Sequence, residues 1–120
     1  MAADFGPLYE DLRALMLRSA PGMVVTTDTD GELQMVARWR HRLKPNAPMW
    51  FGKVQRGKAY VSYHLMPLYL SQDLLAQVPE ALNRRKRGKT CFAFKAADPA
   101  LFADLARLTE ACAAAFAAPI

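Results

Sequence analysis

His64 and Cys91 are the two side chains best suited to chemistry, and each stands in a strongly β-like stretch. The alternation Val61, Tyr63, Leu65 turns His64 to the opposite face of its strand, and Phe92 with Phe94 does the same for Cys91. If those strands are neighbours, the two form a Cys–His pair in which imidazole assists a thiolate nucleophile. Spacing alone does not make them neighbours, and no Asp or Asn is placed to orient the ring. The plain alternative is a satisfied boundary histidine and a packing cysteine, so catalysis is not the expectation.

The densest chemical signal is basic. Arg84, Arg85, Lys86, Arg87 and Lys89 place five cations in six residues. Such crowding suits a phosphate or carboxylate partner, because close like charges are costly unless an anion or water screens them. A solvated short helix and loop explains the same run without a ligand. Lys53, Lys58 and Lys95 would add to the attraction. Arg38, Arg40, Lys53, Tyr60, His64 and Lys95 alternate outward, and Arg38, Tyr60, His64 and Cys91 are candidates for a shared sheet-face pocket. Aromatic rings among bases also suit single-stranded nucleic acid, but no RNA-binding signature is present, which makes nucleic acid a lesser candidate.

Two tempting motifs fail. Gly88-Lys89-Thr90 lacks the first glycine of a phosphate loop, which would fall at Asn83, and it runs into a strand instead of a helix. Thr26 to Ala37 partly mimics a calcium loop, but Ala37 stands where a bidentate carboxylate is needed.

Charge is segregated along the chain. Between Leu33 and Ala97 there are thirteen Lys/Arg and two acids, whereas the flanks carry three Arg and nine acids, within an overall net charge of +5. If the middle of the chain forms one layer and the ends another, the molecule has a cationic side and an acidic side. The 120 residues suffice for one domain with a single core, and 52 % apolar content is ordinary globular composition. Cys91 and Cys112 have no CxxC or zinc spacing and read as reduced thiols. Neither a secretory signal nor a membrane span is visible, so the expectation is a cytoplasmic protein without a membrane partner.

The elements that would position these residues follow from periodicity. Pro7 opens a helix with Leu8, Leu12, Leu15 and Met16 on one face, ended by Pro21-Gly22. Strands are expected at 23–27 and 33–39 around Asp30-Gly31, then at 49–55 and 59–65 around Arg56-Gly57, with Pro67 ending the last. Short helical turns are expected over 72–77 and 80–86, and a fifth strand over 90–94. Asp98-Pro99 starts a final helix with Leu101, Leu105, Leu108 and Cys112 on one face. Two amphipathic helices would cover one face of a mainly antiparallel five-stranded sheet, an α+β two-layer sandwich over residues 1–120, leaving the other face open.

Two strings also carry a family likeness: Trp50-Phe51-Gly52 with 60–69, which includes His64-Leu65-Met66-Pro67, and Gly88 to Lys95, followed by Leu101-Phe102 and 105–110. Over most of its length the chain resembles the small bacterial YdhG-like domain-of-unknown-function family. That resemblance implies a frataxin-like helix–five-strand–helix layout and, through some relatives, intracellular iron chaperoning. An iron site would then draw on Glu10, Asp11, Asp28 and Asp30, with Asp4 and Glu32 nearby. Hard carboxylate oxygens suit iron or another divalent ion, although helix-dipole and turn chemistry also account for acids there.

The leading expectation is a non-enzymatic binding module, without a cofactor, for an anionic small molecule or an acidic protein on the basic sheet side. The alternative is an iron chaperone.

Overall fold

The computed structural model describes residues 5–40 and 46–118; Asp4 lies outside them. Within that range the chain forms α1 (Gly6–Ser19), β1 (Val24–Asp28), β2 (Glu32–Arg40), β3 (Pro48–Arg56), β4 (Val61–Leu65), α2 (Pro67–Leu70), α3 (Gln72–Ala76), α4 (Glu80–Asn83), β5 (Cys91–Phe94) and α5 (Pro99–Ala115). The strands make one antiparallel sheet in the order β1-β2-β3-β4-β5, a simple meander. The α+β sandwich read from periodicity is the architecture found.

Two helices cover one face because their apolar stripes have nowhere else to go. Leu8, Leu12, Leu15 and Met16 of α1 and Leu101, Leu105, Leu108 and Cys112 of α5 are all buried. They meet Leu33, Met35, Val54, Val61, Tyr63, Leu65, Phe92 and Phe94 from the inner face of the sheet in one core. The layers are also joined by polar bonds. Tyr63 Oη and Thr109 Oγ1 share a buried hydrogen bond of 2.7 Å, and Thr109 Oγ1 donates to Leu105 O. Tyr9 Oη donates to Thr29 O, pinning the β1–β2 turn to α1. Asp98 caps α5 by accepting from Leu101 N, with Pro99 in the first turn.

Two local expectations are corrected. Pro67 does more than end β4: with its φ preset for a first turn, it opens α2. The helical turn expected over 80–86 stops at Asn83. Arg85 to Arg87 instead lies alongside the outer edge of β5. Ala93 N donates to Arg85 O, Arg87 N donates to Cys91 O, both at 2.8 Å, and Lys86 bridges Phe92. An edge strand offers unpaired backbone groups, and pairing here satisfies them better than one more helical turn would. Gly88, at φ 138°, lets the chain reverse between Arg87 and Cys91. Gly88-Lys89-Thr90 is therefore a reversal leading into β5.

Among the described residues, no helix lies on the second face of the sheet. Gln34, Val36, Trp50, Lys53, Ser62, His64 and Cys91 all point to that side, and each keeps partial exposure.

Candidate functional site

Strand register builds the site. Lys53 stands opposite His64, and His64 opposite Cys91. The hydrogen bond from Arg87 N to Cys91 O extends the row, so Lys53, His64, Cys91 and Arg87 run laterally across the open face. Neighbouring strands lie about 4.8 Å apart, so cations flank the thiol–imidazole pair on both sides within a few strand spacings. Cys91 Sγ lies 3.6 Å from His64 Nε2.

Beside this row is an open hollow of about 510 Å³, lined among others by Gln55, Lys58, Tyr60, Ser62, His64 and Cys91. Arg87 lies over the Tyr60 ring, its Cζ 5.6 Å from the centroid, which holds a guanidinium at the rim. Lys58 is exposed on the loop before Tyr60. Lys53 contributes less than a bare charge, because its Nζ lies 3.8 Å from Glu32 Oε1. The sandwich thus brings together Lys53, Lys58, Tyr60, His64, Cys91 and Arg87.

Other expected members fall elsewhere. Arg38 does not join the pocket. Its Nε donates to Gly22 O at 3.0 Å, and it lines a separate hollow with Glu110 and Phe116 near the end of α5. Arg84 sits 3.9 Å from Glu80 in the i,i+4 position, and Arg84 and Arg85 line another hollow with Asp98 and Asp104. Of the basic run, Arg84 thus has an acidic neighbour of its own, Glu80. Lys86 stands opposite the inward-pointing Phe92, so register turns it away from the open face. Lys89 lies over the exposed Tyr69 ring at 5.6 Å, and Lys95 is exposed just past β5.

The acids of the iron alternative do not converge. Arg13 donates to both Asp28 oxygens, Nε at 2.8 Å and Nη2 at 2.6 Å, and its Nη1 lies 4.0 Å from Glu10. That hydrogen bond holds the Asp28 carboxyl below its usual range. Asp11 is exposed on α1, Asp30 is exposed in the turn, and Glu32 joins Lys53 on the sheet. Among the described residues, no three His, Cys, Asp or Glu side chains come together as a metal site.

Electrostatics set the resting state of the pair. Burial, helped by Lys53, pushes His64 below its ordinary value, while burial pushes the Cys91 thiol up despite the opposing pull of a backbone hydrogen bond at Tyr63 and of Lys53 and Arg87. Both shifts favour the neutral forms, so thiol and neutral imidazole face each other instead of a thiolate–imidazolium nucleophile. Cys112, buried in the core, is raised to about 12 and is chemically quiet.

One prediction follows from the sign of the His64 shift. A histidine harder to protonate in the folded state than its ordinary 6.5 gives stability that is present above 6.5 and lost as pH falls toward the lowered folded value. Melting temperature should therefore drop between about pH 7.5 and pH 5.5, the range where histidine titrates, and His64→Gln should flatten that drop. Equal drops in both proteins would contradict the assignment.

No family model matches the chain, and neither curated proteins nor solved structures include a significant match. Geometry must carry the reading of the site. Among the described residues, no helix is long and apolar enough to cross a membrane.

Sequence reasoning missed two features of this face. Trp50 points outward beside His64, ring centroids 6.1 Å apart, because a bulge at Phe51 resets the alternation of β3. The sequence signal was only partial: Phe51 and Val54 are apolar yet three residues apart, a spacing that an unbroken strand cannot place on one side, and both prove to be buried. The second feature, the alignment of Arg87 with Cys91, depends on an edge pairing with no sequence periodicity of its own.

Proposed function

We propose that this chain is a non-enzymatic binding protein for a small anionic ligand, seated in the hollow beside Tyr60, His64 and Cys91. Lys58 and Arg87 supply the principal counter-charges, and Lys53 adds to the field. The observation that carries the reading is a hollow lined by Lys58, Tyr60, His64 and Cys91, with Arg87 over the Tyr60 ring and Lys53 opposite His64. Concavity matters because it allows several charge-assisted hydrogen bonds to one ligand while removing part of it from water.

The neighbouring readings have less support. A nucleic acid would stack its bases on aromatic faces, but Arg87 and Lys89 already lie over the rings of Tyr60 and Tyr69. An acidic protein would engage Lys89 and Lys95 as well, yet it would not need a hollow. Iron chaperoning, the role implied by the YdhG-like resemblance, would have to displace Arg13 from Asp28. Catalysis by Cys91 lacks a standing thiolate.

Calorimetric titration with citrate, a compact polyanion, tests the proposal. The expected result is saturable binding at low ionic strength that weakens steeply as salt approaches about 0.15 M, where screening sets in within roughly 8 Å. Absence of binding at low salt would contradict the proposal.

A further inference from the structure

We infer that Cys91 undergoes reversible thiol–disulfide exchange with small anionic disulfides drawn into the hollow by Lys58 and Arg87, with His64 accepting the proton. This rests on the anion-binding reading, since the same cations recruit the reagent.

Three observations place the reaction at Cys91. Cys91 lines the hollow and keeps partial exposure. His64 Nε2 lies 3.6 Å away, close enough, in the tautomer protonated at Nδ1, to take the thiol proton as attack begins. Lys53 and Arg87 both favour negative charge on the sulfur. In the step, the Cys91 S–H proton passes to His64 Nε2, and the sulfur lone pair forms a bond to one sulfur of the disulfide. The old S–S bond breaks, and its electron pair leaves with the second sulfur as an anionic thiolate. Cys91 is oxidised to a mixed disulfide, and one half of the reagent is reduced to a thiol.

The adduct has no internal route to resolution. Cys112 is buried on the core face of α5, on the other side of the sheet, so a second small thiol must release Cys91. While it lasts, the adduct fills the hollow and carries its own negative charge. Exchange would therefore switch anion binding off, and an external thiol would restore it.

Two chromogenic disulfides distinguish recruitment from ordinary reactivity: dithiobis(nitrobenzoate), a dianion, and dithiodipyridine, which is neutral. The native protein should release a single equivalent of chromophoric thiol, with the adduct mapped by mass spectrometry to Cys91 and absent in Cys91→Ser. The dianion-to-neutral rate ratio should fall about tenfold in Lys58→Gln/Arg87→Gln, the low end of electrostatic steering. His64→Gln should slow both reagents while leaving that ratio unchanged. An adduct elsewhere, or a ratio equal to that of free cysteine and insensitive to the cation substitutions, would overturn the inference. Citrate titration of Cys91→Ser separates the two levels: retained citrate binding with no exchange in the native protein sinks the thiol step alone, and loss of both sinks the anion site beneath it.

Discussion

Lys58→Glu combined with Arg87→Glu should weaken citrate binding by about 100-fold or more. A hydrogen bond to a charged group is worth roughly 1.5–3 kcal/mol, and two such contacts exceed the ~2.8 kcal/mol that a 100-fold change requires. Reversal also replaces attraction with repulsion, so the estimate is a lower one. Both side chains are exposed, so melting temperature should move little. The matched control is Arg84→Glu with Arg85→Glu, the same change in net charge a few residues away. It should cost no more than about threefold, because only long-range field is lost and screening limits it. If the control weakens binding as much as the first pair, attraction to net charge would explain everything and the hollow nothing.

Gly52→Ala should be the most damaging single-atom change in the sheet. A Cβ at Gly52 would lie 2.5 Å from His64 O and 3.0 Å from Met16 Cε. Met16 is flexible, but the carbonyl belongs to β4 and cannot yield without moving the strand. Overpacking of this kind costs on the order of 2–3 kcal/mol. For a domain of this size that corresponds to roughly 10 °C in melting temperature. The displacement would also shift His64 relative to Cys91, so exchange with dithiodipyridine should slow even under conditions where the variant stays folded. A melting temperature within about 2 °C of the parent, well below the expected shift, would mean that β3 and β4 pack less tightly here than the geometry requires.

How much of this was legible beforehand depended on the kind of signal. Helices α1 and α5 announced themselves because a helix repeats its buried face several times: Leu8, Leu12 and Leu15, then Leu101, Leu105 and Leu108. The outward assignment of His64 and Cys91 followed from period-2 alternation, and it held because β4 and β5 are short and regular. Where a strand broke its period, at Phe51, the reading lost Trp50. Adjacency was different in kind: nothing local to His64 or Cys91 states that β4 and β5 pair, and only the meander order brings them face to face.

The basic run shows the same limit more sharply. As a string, Arg84 to Lys89 is one cluster; in the fold, backbone pairing with β5 divides it. Arg84 sits beside Glu80 of α4, Arg84 and Arg85 line a hollow near the start of α5, and Arg87 goes to Tyr60. Acidic residues behaved likewise. Glu10, Asp28 and Glu32 read as candidate ligands of one site, but three ion pairs divide them, Glu10 and Asp28 with Arg13 and Glu32 with Lys53. Charge density along a chain therefore marks a region, while the partners supplied by tertiary structure decide which charges remain available.

The central claim is that anions gather at the concave patch of uncovered β-sheet where Arg87 meets Tyr60. Amide chemical-shift mapping during citrate titration addresses it most directly. Saturating shifts should concentrate at Lys58, Tyr60, His64, Cys91 and Arg87 and collapse as salt is raised. Shifts centred instead on Arg84, Arg85 and the start of α5, or spread evenly over every exposed cation, would contradict it.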